Sequence, residues 1–386
     1  MLNYFYTTIL FLVCFVFTIK AQHDSIHKKN HITIAFVPDS NMAFTGTRIV
    51  EKEDTSSNHK MELSAYVSSY YAHYSDETAI NGFSQFPTMA PRNNQFGLNI
   101  AQIGLEYHNK RIRSNIVLHY GDIPETNWPK PFTLIQEAHG GVLLVKNLWL
   151  DVGFFKTHIG LESIQPRENV TSSMSVVNYF EPYFFSGAKL TYQVSSKLSL
   201  QVNAFNGYNE YIENNKNKAL GFSALYDVNE NISLTYNLLT CDETPDANPT
   251  KHFRVYNNLY VTYKKGRFSV GFEANYGFQN NSLLTDTTKA ANLFSGLLVG
   301  KYQLIKPLAI YARGEYFSDK NRILTATLNT GNYVMGSTVG IEFKPVKNVA
   351  ISGEYRLLQV DNTIFKEGNA KINQRNEFTL CMDVWF

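Results

Sequence analysis

The chain has 386 residues, 35 Lys and Arg against 33 Asp and Glu, and a formal charge of +2, with 44% hydrophobic and 18% charged residues. That balance excludes an extended basic surface for nucleic acid and an acidic disordered tail. The aromatic share is 14%, with 24 Tyr and 27 Phe but 3 Trp, and mean hydropathy is -0.23, which does not suit a bundle of membrane helices.

Residues 1–21, MLNYFYTTILFLVCFVFTIKA, hold a long apolar core ending in Ala21 and read as a secretory signal peptide cut before Gln22, although the usual Lys or Arg at its start is missing. An uncleaved helical anchor is the alternative. Val13 precedes Cys14 where a lipoprotein signal needs a small residue, so lipidation is discounted. Residues 22–60 are polar and read as a flexible periplasmic arm. His23, His27 and His31 recur every fourth residue, but no amphipathic helix is there to hold a metal, and no metal or cofactor is assigned.

From residue 61 to the end the pattern predicts strands over 62–74, 96–108, 111–121, 133–145, 148–157, 183–194, 197–208, 218–227, 231–241, 252–264, 266–278, 289–303, 307–318, 332–343, 348–360 and 375–386. Segments of ten or more residues are what a tilted strand needs to cross a bilayer; strands of soluble proteins are nearer five or six. The faces alternate. Ile112, Ile116, Leu118 and Tyr120 interleave with Arg111, Arg113, Asn115 and His119, and the last nine residues set Phe378, Leu380, Met382, Val384 and Phe386 against Thr379, Cys381, Asp383 and Trp385. The strand at 96–108 changes phase, and a bulge near Ala101 is expected there to restore its outward face.

Connections alternate strictly between one to four residues and long stretches rich in Asn, Thr, Asp and Pro. All turns then lie at one end and all loops at the other, which predicts an all-β, transmembrane, up-and-down antiparallel barrel of about 16 strands with short periplasmic turns and long extracellular loops. Closure is obligatory, since hydrocarbon offers no partner for a free sheet edge. Tyr120, Tyr192, Tyr263, Tyr302, Tyr316, Phe343 and Phe386 near strand ends suit aromatic girdles.

The stretch QFGLNIAQIGLEYHNKRIRSNIVLHYG at 95–121, then KNLWLDVGFFKTHIGLES at 146–163 and EPYFFSGAKLTYQVSSKLSLQVNAFNGY at 181–208, resembles the OmpL-like β-barrel porins of Bacteroidota, in order as well as composition. The resemblance implies an outer-membrane pore and supplies no functional residue to carry over. A closing strand ending on Phe likewise looks like the carboxy-terminal signal of outer-membrane barrels, which makes Phe386 the candidate assembly signal and the barrel assembly machinery and outer-membrane lipid the expected partners.

The inward phase nominates Arg111, Arg113, His119, Asp151, Lys189, Arg267, Glu273, Arg313, Glu315, Glu342, Glu354, Arg356 and Asp383 as pore-lining. Charge is cheap there and expensive on the lipid face. Both signs are present in similar numbers, so strong ion selectivity is not expected. The connection from His158 to Pro182 is the candidate to fold inward and narrow the pore, an ordinary external loop being the alternative.

The function expected is passive diffusion of small hydrophilic solutes through a water-filled channel in the outer membrane of a Gram-negative bacterium, by a monomer or homo-oligomer. Two alternatives stand beside it. One is a plugged barrel whose outer loops bind a partner. The other is an outer-membrane hydrolase using His158 and Ser163, for which no nucleophile motif, metal-ligand pair or phosphate-binding glycine loop is present.

Overall fold

A computed structural model describes residues 59–326 and 328–386. The signal peptide and nearly all of the arm fall outside the described residues. The described chain forms strands β1 (His59–Tyr74), β2 (Gln95–Asn109), β3 (Ile112–Tyr120), β4 (Ile135–Val145), β5 (Leu148–Lys156), β6 (Phe184–Gln193), β7 (Leu198–Phe205), β8 (Ala219–Asn229) and β9 (Ile232–Cys241). It continues with β10 (Arg254–Lys265), β11 (Phe268–Gln279), β12 (Ala291–Ile305), β13 (Leu308–Ser318), β14 (Val334–Phe343), β15 (Val349–Val360), β16 (Phe365–Glu367), β17 (Ala370–Ile372) and β18 (Gln374–Trp385). Sixteen of these close into one antiparallel barrel in sequence order; β16 and β17 form a separate small hairpin in the last loop.

Closure is made by β1 against β18, with Tyr66 opposite Trp385 and Tyr74 opposite Glu377. Phe386 extends that ladder: its amide donates to Ala65 O at 3.0 Å and its carbonyl accepts from Ala65 N at 3.1 Å. The sheet therefore has no free edge, as the bilayer requires.

The alternation read from the sequence is the alternation of the wall. Phe378, Leu380, Met382, Val384 and Phe386 are all exposed on the outside, whereas Glu377, Cys381, Asp383 and Trp385 are buried inside. Outward Ile103, Val152, Val202, Leu220, Leu298 and Val339 build the aliphatic belt, and Tyr192, Tyr263, Phe268 and Phe343 mark its turn end. The phase change in β2 is a bulge: Ser68 faces Ile100 and Ser69 faces Leu98, so Asn99 is the extra residue, two positions before Ala101. Asn99 and Ile100 both point inward at 1% and 0% exposure.

Turns are tight where the sequence carries Asn or Gly. Asn147 (φ 65°) joins β4 to β5 and Gly266 (φ 59°) joins β10 to β11, both in the left-handed conformation that short hairpins need. The long loops hold two short helices, Asp122–Asn127 and Val176–Phe180, that the strand pattern does not announce.

Candidate functional site: the lumen and its inserted loop

The loop at 157–183 turns into the barrel rather than outward. Its Leu161, Val170, Val176 and Val177 pack on inward side chains of β10 and β12–β15, among them Tyr260, Leu297, Tyr311 and Leu358. Farther along the same loop, Ile164 and Met174 join Tyr66, Ile100 and Trp385 on the wall where the barrel closes. The loop thus covers the arc from β10 through β18 to β2. Apolar residues that would be costly in an external loop find their burial here.

Buried charges fix it in place. The Arg313 guanidinium donates to Glu162 Oε1 at 2.8 Å, Thr171 Oγ1 at 2.8 Å, Ser173 O at 2.6 Å and Met174 O at 3.2 Å, so one wall residue holds four points of the loop. Wall carboxylates take loop amides: Glu315 accepts from Val176 N at 2.6 Å, Glu354 from Ser172 N at 2.9 Å, and Glu273 from Leu161 N at 2.8 Å. Arg356 bridges Glu315 at 2.5 Å and Glu377 at 3.4 Å; Arg375 carries the chain on to Glu377 at 3.0 Å and to Asp76 of the first loop at 3.2 Å. Arg313, Arg356, Arg375, Glu162, Glu315, Glu377 and Asp76 are ion-paired, and Glu273 and Glu354 are held by hydrogen bonds, the conditions under which a buried charge is tolerated.

The first two long loops pack against the same assembly. Arg92 donates from Nε to Asp122 Oδ2 at 2.9 Å and from Nη2 to Oδ1 at 2.9 Å, and Tyr70 donates to Asp122 Oδ2 at 2.7 Å. Trp128 follows the helix Asp122–Asn127 and stacks on Tyr183 at 5.7 Å, closing the lumen side of β2 and β3.

Eleven of the thirteen nominated residues are in strands with their side chains on the inner face. Besides those above, Arg113 donates to Asp151 Oδ1 at 2.7 Å, Lys189 Nζ lies 4.5 Å over the Phe155 ring, His119 meets Trp128 edge-on at 4.6 Å, and Asp383 accepts from Tyr66 at 2.6 Å. Glu342 sits toward the turn end between Lys301 at 2.6 Å and Lys344 at 3.3 Å. Arg111 and Arg267 stand outside the strands, exposed in the turns before β3 and β11, and Arg267 Nη1 donates to Leu304 O at 3.3 Å. Sequence reasoning missed Glu162, Arg375, Glu377 and Asp76. His158 and Ser163 lie on the inserted loop, where His158 Nε2 is 3.3 Å from Leu238 O and Ser163 Oγ accepts from Gln165 N, with no hydrogen bond between the two. Among the described residues no group of His, Cys, Asp and Glu is arranged to hold a metal ion.

The barrel is similar to solved outer-membrane channels. The channel DcaP of Acinetobacter baumannii aligns over 85% of this chain and 98% of its own at 11% identity, with a TM-score of 0.59. An anion-selective porin from Comamonas acidovorans aligns over 85% and 100% at 10% identity and 0.58. OmpT of Vibrio cholerae, folded in vitro and in trimer form, aligns over 86% and 100% at 11% identity and 0.53. Among curated proteins no relative matches. At such identities these likenesses show the fold; the family is shown by a match to the sequence profile described as "Putative beta-barrel porin-2, OmpL-like" over residues 60–386. The chain belongs to that family of OmpL-like outer-membrane β-barrel porins.

Proposed function

We propose that the protein lets small hydrophilic solutes diffuse passively across the outer membrane of a Gram-negative bacterium, through a lumen narrowed by the loop at 157–183. The observation that carries this reading is the closed sixteen-strand ring with a polar and charged inner face, in which the loop's charged anchors all go to β11–β15 while on β6, β7 and β9 it makes the contacts of His158 and Ile159. The inward charges on the strands line the path, with Arg113, Asp151 and Lys189 on the side away from the loop's anchor. Signs are mixed there, which fits weak ion selectivity. A homo-oligomer accords with the trimer form of the Vibrio cholerae neighbour. Phe386 serves as the assembly signal, a role supported by its place in the closing ladder. Lipid outside and the assembly machinery are the partners this placement implies, and no chemistry is assigned to His158 or Ser163.

The experiment is ion conductance of the purified, refolded protein in a planar bilayer, with the reversal potential read under a salt gradient. Stepwise channels with a small reversal potential support the reading. A folded barrel that passes no current favours the second reading, a plugged barrel whose outer loops bind a partner, for which the apolar clusters between loop and wall speak.

A further inference from the structure

Charge distinguishes the two ends of the barrel. Seven turns join the wall hairpins at the periplasmic end, and six of them carry an exposed cation: Lys110, Lys146, Lys197, Arg267, Lys306 and Lys347. Arg111 stands beside the first of these, and Lys265 lies two residues before Arg267. The same turns hold one acid, Glu230, between β8 and β9. At the loop end both signs occur and some are paired, Lys218 with Glu213, and Lys289 with Asp286 at 3.0 Å. A chain whose formal charge is only +2 thus gathers cations at one rim.

These cations are not neutralised by the protein. Among the described residues none of the six forms a salt bridge, whereas Lys344, in the last turn, is drawn to Glu342 at 3.3 Å. Two of the six donate to backbone carbonyls, Lys197 Nζ to Val228 O at 3.4 Å and Arg267 Nη1 to Leu304 O at 3.3 Å. Such bonds hold a side chain at the rim and leave its charge to be met from outside.

The shortness of the turns sets the depth of the charges. Lys146 directly follows Val145, Lys306 follows Ile305 and Lys347 follows Val346, and each of these apolar neighbours is more than half exposed. Arg267 directly precedes Phe268 of the aromatic girdle. One residue of strand advances the chain by about 3.3 Å, so these four charges stand within a single step of exposed apolar surface. A soluble acidic partner would satisfy the charges and meet the aliphatic side chains poorly. A phospholipid satisfies both, its phosphate taking the cation and its acyl chain the Val or Ile.

We propose that this rim binds anionic phospholipid, phosphatidylglycerol or cardiolipin, in the inner leaflet of the outer membrane, as a shell interrupted at the β8–β9 turn, where Glu230 repels it. The inference goes beyond the porin reading and does not depend on it, since it needs the barrel's place in a membrane and not an open lumen.

The test is electron spin resonance of spin-labelled lipids around the protein refolded in phosphatidylcholine vesicles, with spin-labelled phosphatidylglycerol and phosphatidylcholine as the probes. A headgroup beside one exposed cation should be favoured about fivefold. Averaged over both leaflets, the immobilised fraction of the anionic probe should exceed that of the neutral one roughly twofold at low salt, and approach it at about 1 M NaCl. Lys146→Gln, Lys306→Gln and Lys347→Gln together should remove about half of that excess, while Lys216→Gln, Lys251→Gln and Lys289→Gln at the loop end leave it unchanged. Lys306→Gln alone, with a proportionately smaller loss, serves if the triple variant does not migrate as a folded barrel. Equal immobilisation of the two probes overturns the inference and leaves the cations to a soluble acidic partner. An excess that falls as far with the loop-end variant as with the turn variant overturns its assignment to this rim. A lipid preference found in a barrel that passes no current supports this inference and overturns the porin reading alone.

Discussion

Arg313→Met should loosen the inserted loop without expelling it, and the structure gives the sizes that decide between those outcomes. Methionine keeps the bulk of the side chain but withdraws the charge from Glu162, whose remaining bond is the amide of Ser175 at 2.7 Å. Breaking one partner out of a buried pair costs roughly 3–5 kcal/mol. Against this, the loop buries Leu161, Ile164, Val170, Met174, Val176 and Val177, each under 10% exposed. At roughly 1.5–3 kcal/mol per side chain their burial is worth on the order of 10 kcal/mol, an upper figure because a released loop would still bury some of that surface. Burial wins, so the loop stays inside while its bonded stretch 162–174 fluctuates. Single-channel recordings should show current noise and a conductance raised less than about twofold, and trypsin should reach Arg167 faster than in the parent protein. Replacing Glu162 as well, Arg313→Met with Glu162→Gln, removes the stranded charge and should recover most of the quiet behaviour, as a coupled pair requires. An Arg313→Met channel as quiet and as protease-resistant as the parent would refute the anchoring role. So would a current equal to that of a protein deleted for 161–177, since it would mean that the apolar contacts hold nothing.

Deleting Phe386 removes the two backbone bonds to Ala65 and should sharply lower the amount of folded barrel in the outer membrane while export continues; normal levels on immunoblots of membrane fractions would count against the closing-strand argument. On β7, Val202→Arg places charge on the lipid face at a cost of roughly 2–4 kcal/mol near the bilayer midplane, whereas its neighbour Gln201→Arg faces the lumen and should cost far less; urea titration in lipid vesicles compares the two, and equal costs would invalidate the assignment of faces. Burial, and then the neighbouring Glu273 carboxylate, push the Glu181 carboxyl well above its usual range. The folded loop therefore holds a proton that the released loop gives up as pH rises past about 4.3, so insertion weakens between that pH and the raised value. Glu181→Gln should flatten this dependence and make the loop less sensitive to protease at pH 7.5, and an unchanged pH profile would speak against a protonated Glu181.

The strands were legible because lipid imposes a strict rule on them: Phe378 to Phe386 must be apolar at every second position whatever lies inside. Pairing order followed from the short turns, such as Lys146 with Asn147. The course of the loop at 157–183 was legible only as one of two options, since its anchors are remote in sequence, Glu162 being 151 residues from Arg313. The signal that favours insertion was nonetheless present, in a density of Ile, Leu, Val and Met from Ile159 to Val177 that open water would not reward. Arg111 and Arg267 were placed on the inner face because the alternation was carried one residue into the turns, where the pleat no longer governs direction. Arg375 and Glu377 were missed for the opposite reason: they lie within the predicted strand 375–386, but its faces were assigned only from Phe378, and the same phase followed two steps earlier reaches both.

The ring of ladders has a mechanical corollary. Each wall strand is bonded along both edges, so a hairpin drawn from the barrel by a stretching force must unzip both of its flanking seams together, and the ring offers no frayed edge from which to peel. Rupture should then come as abrupt, well-separated force peaks, one per hairpin, with the first the highest, because only the first must open a closed ring; every later one leaves a sheet that already has an edge.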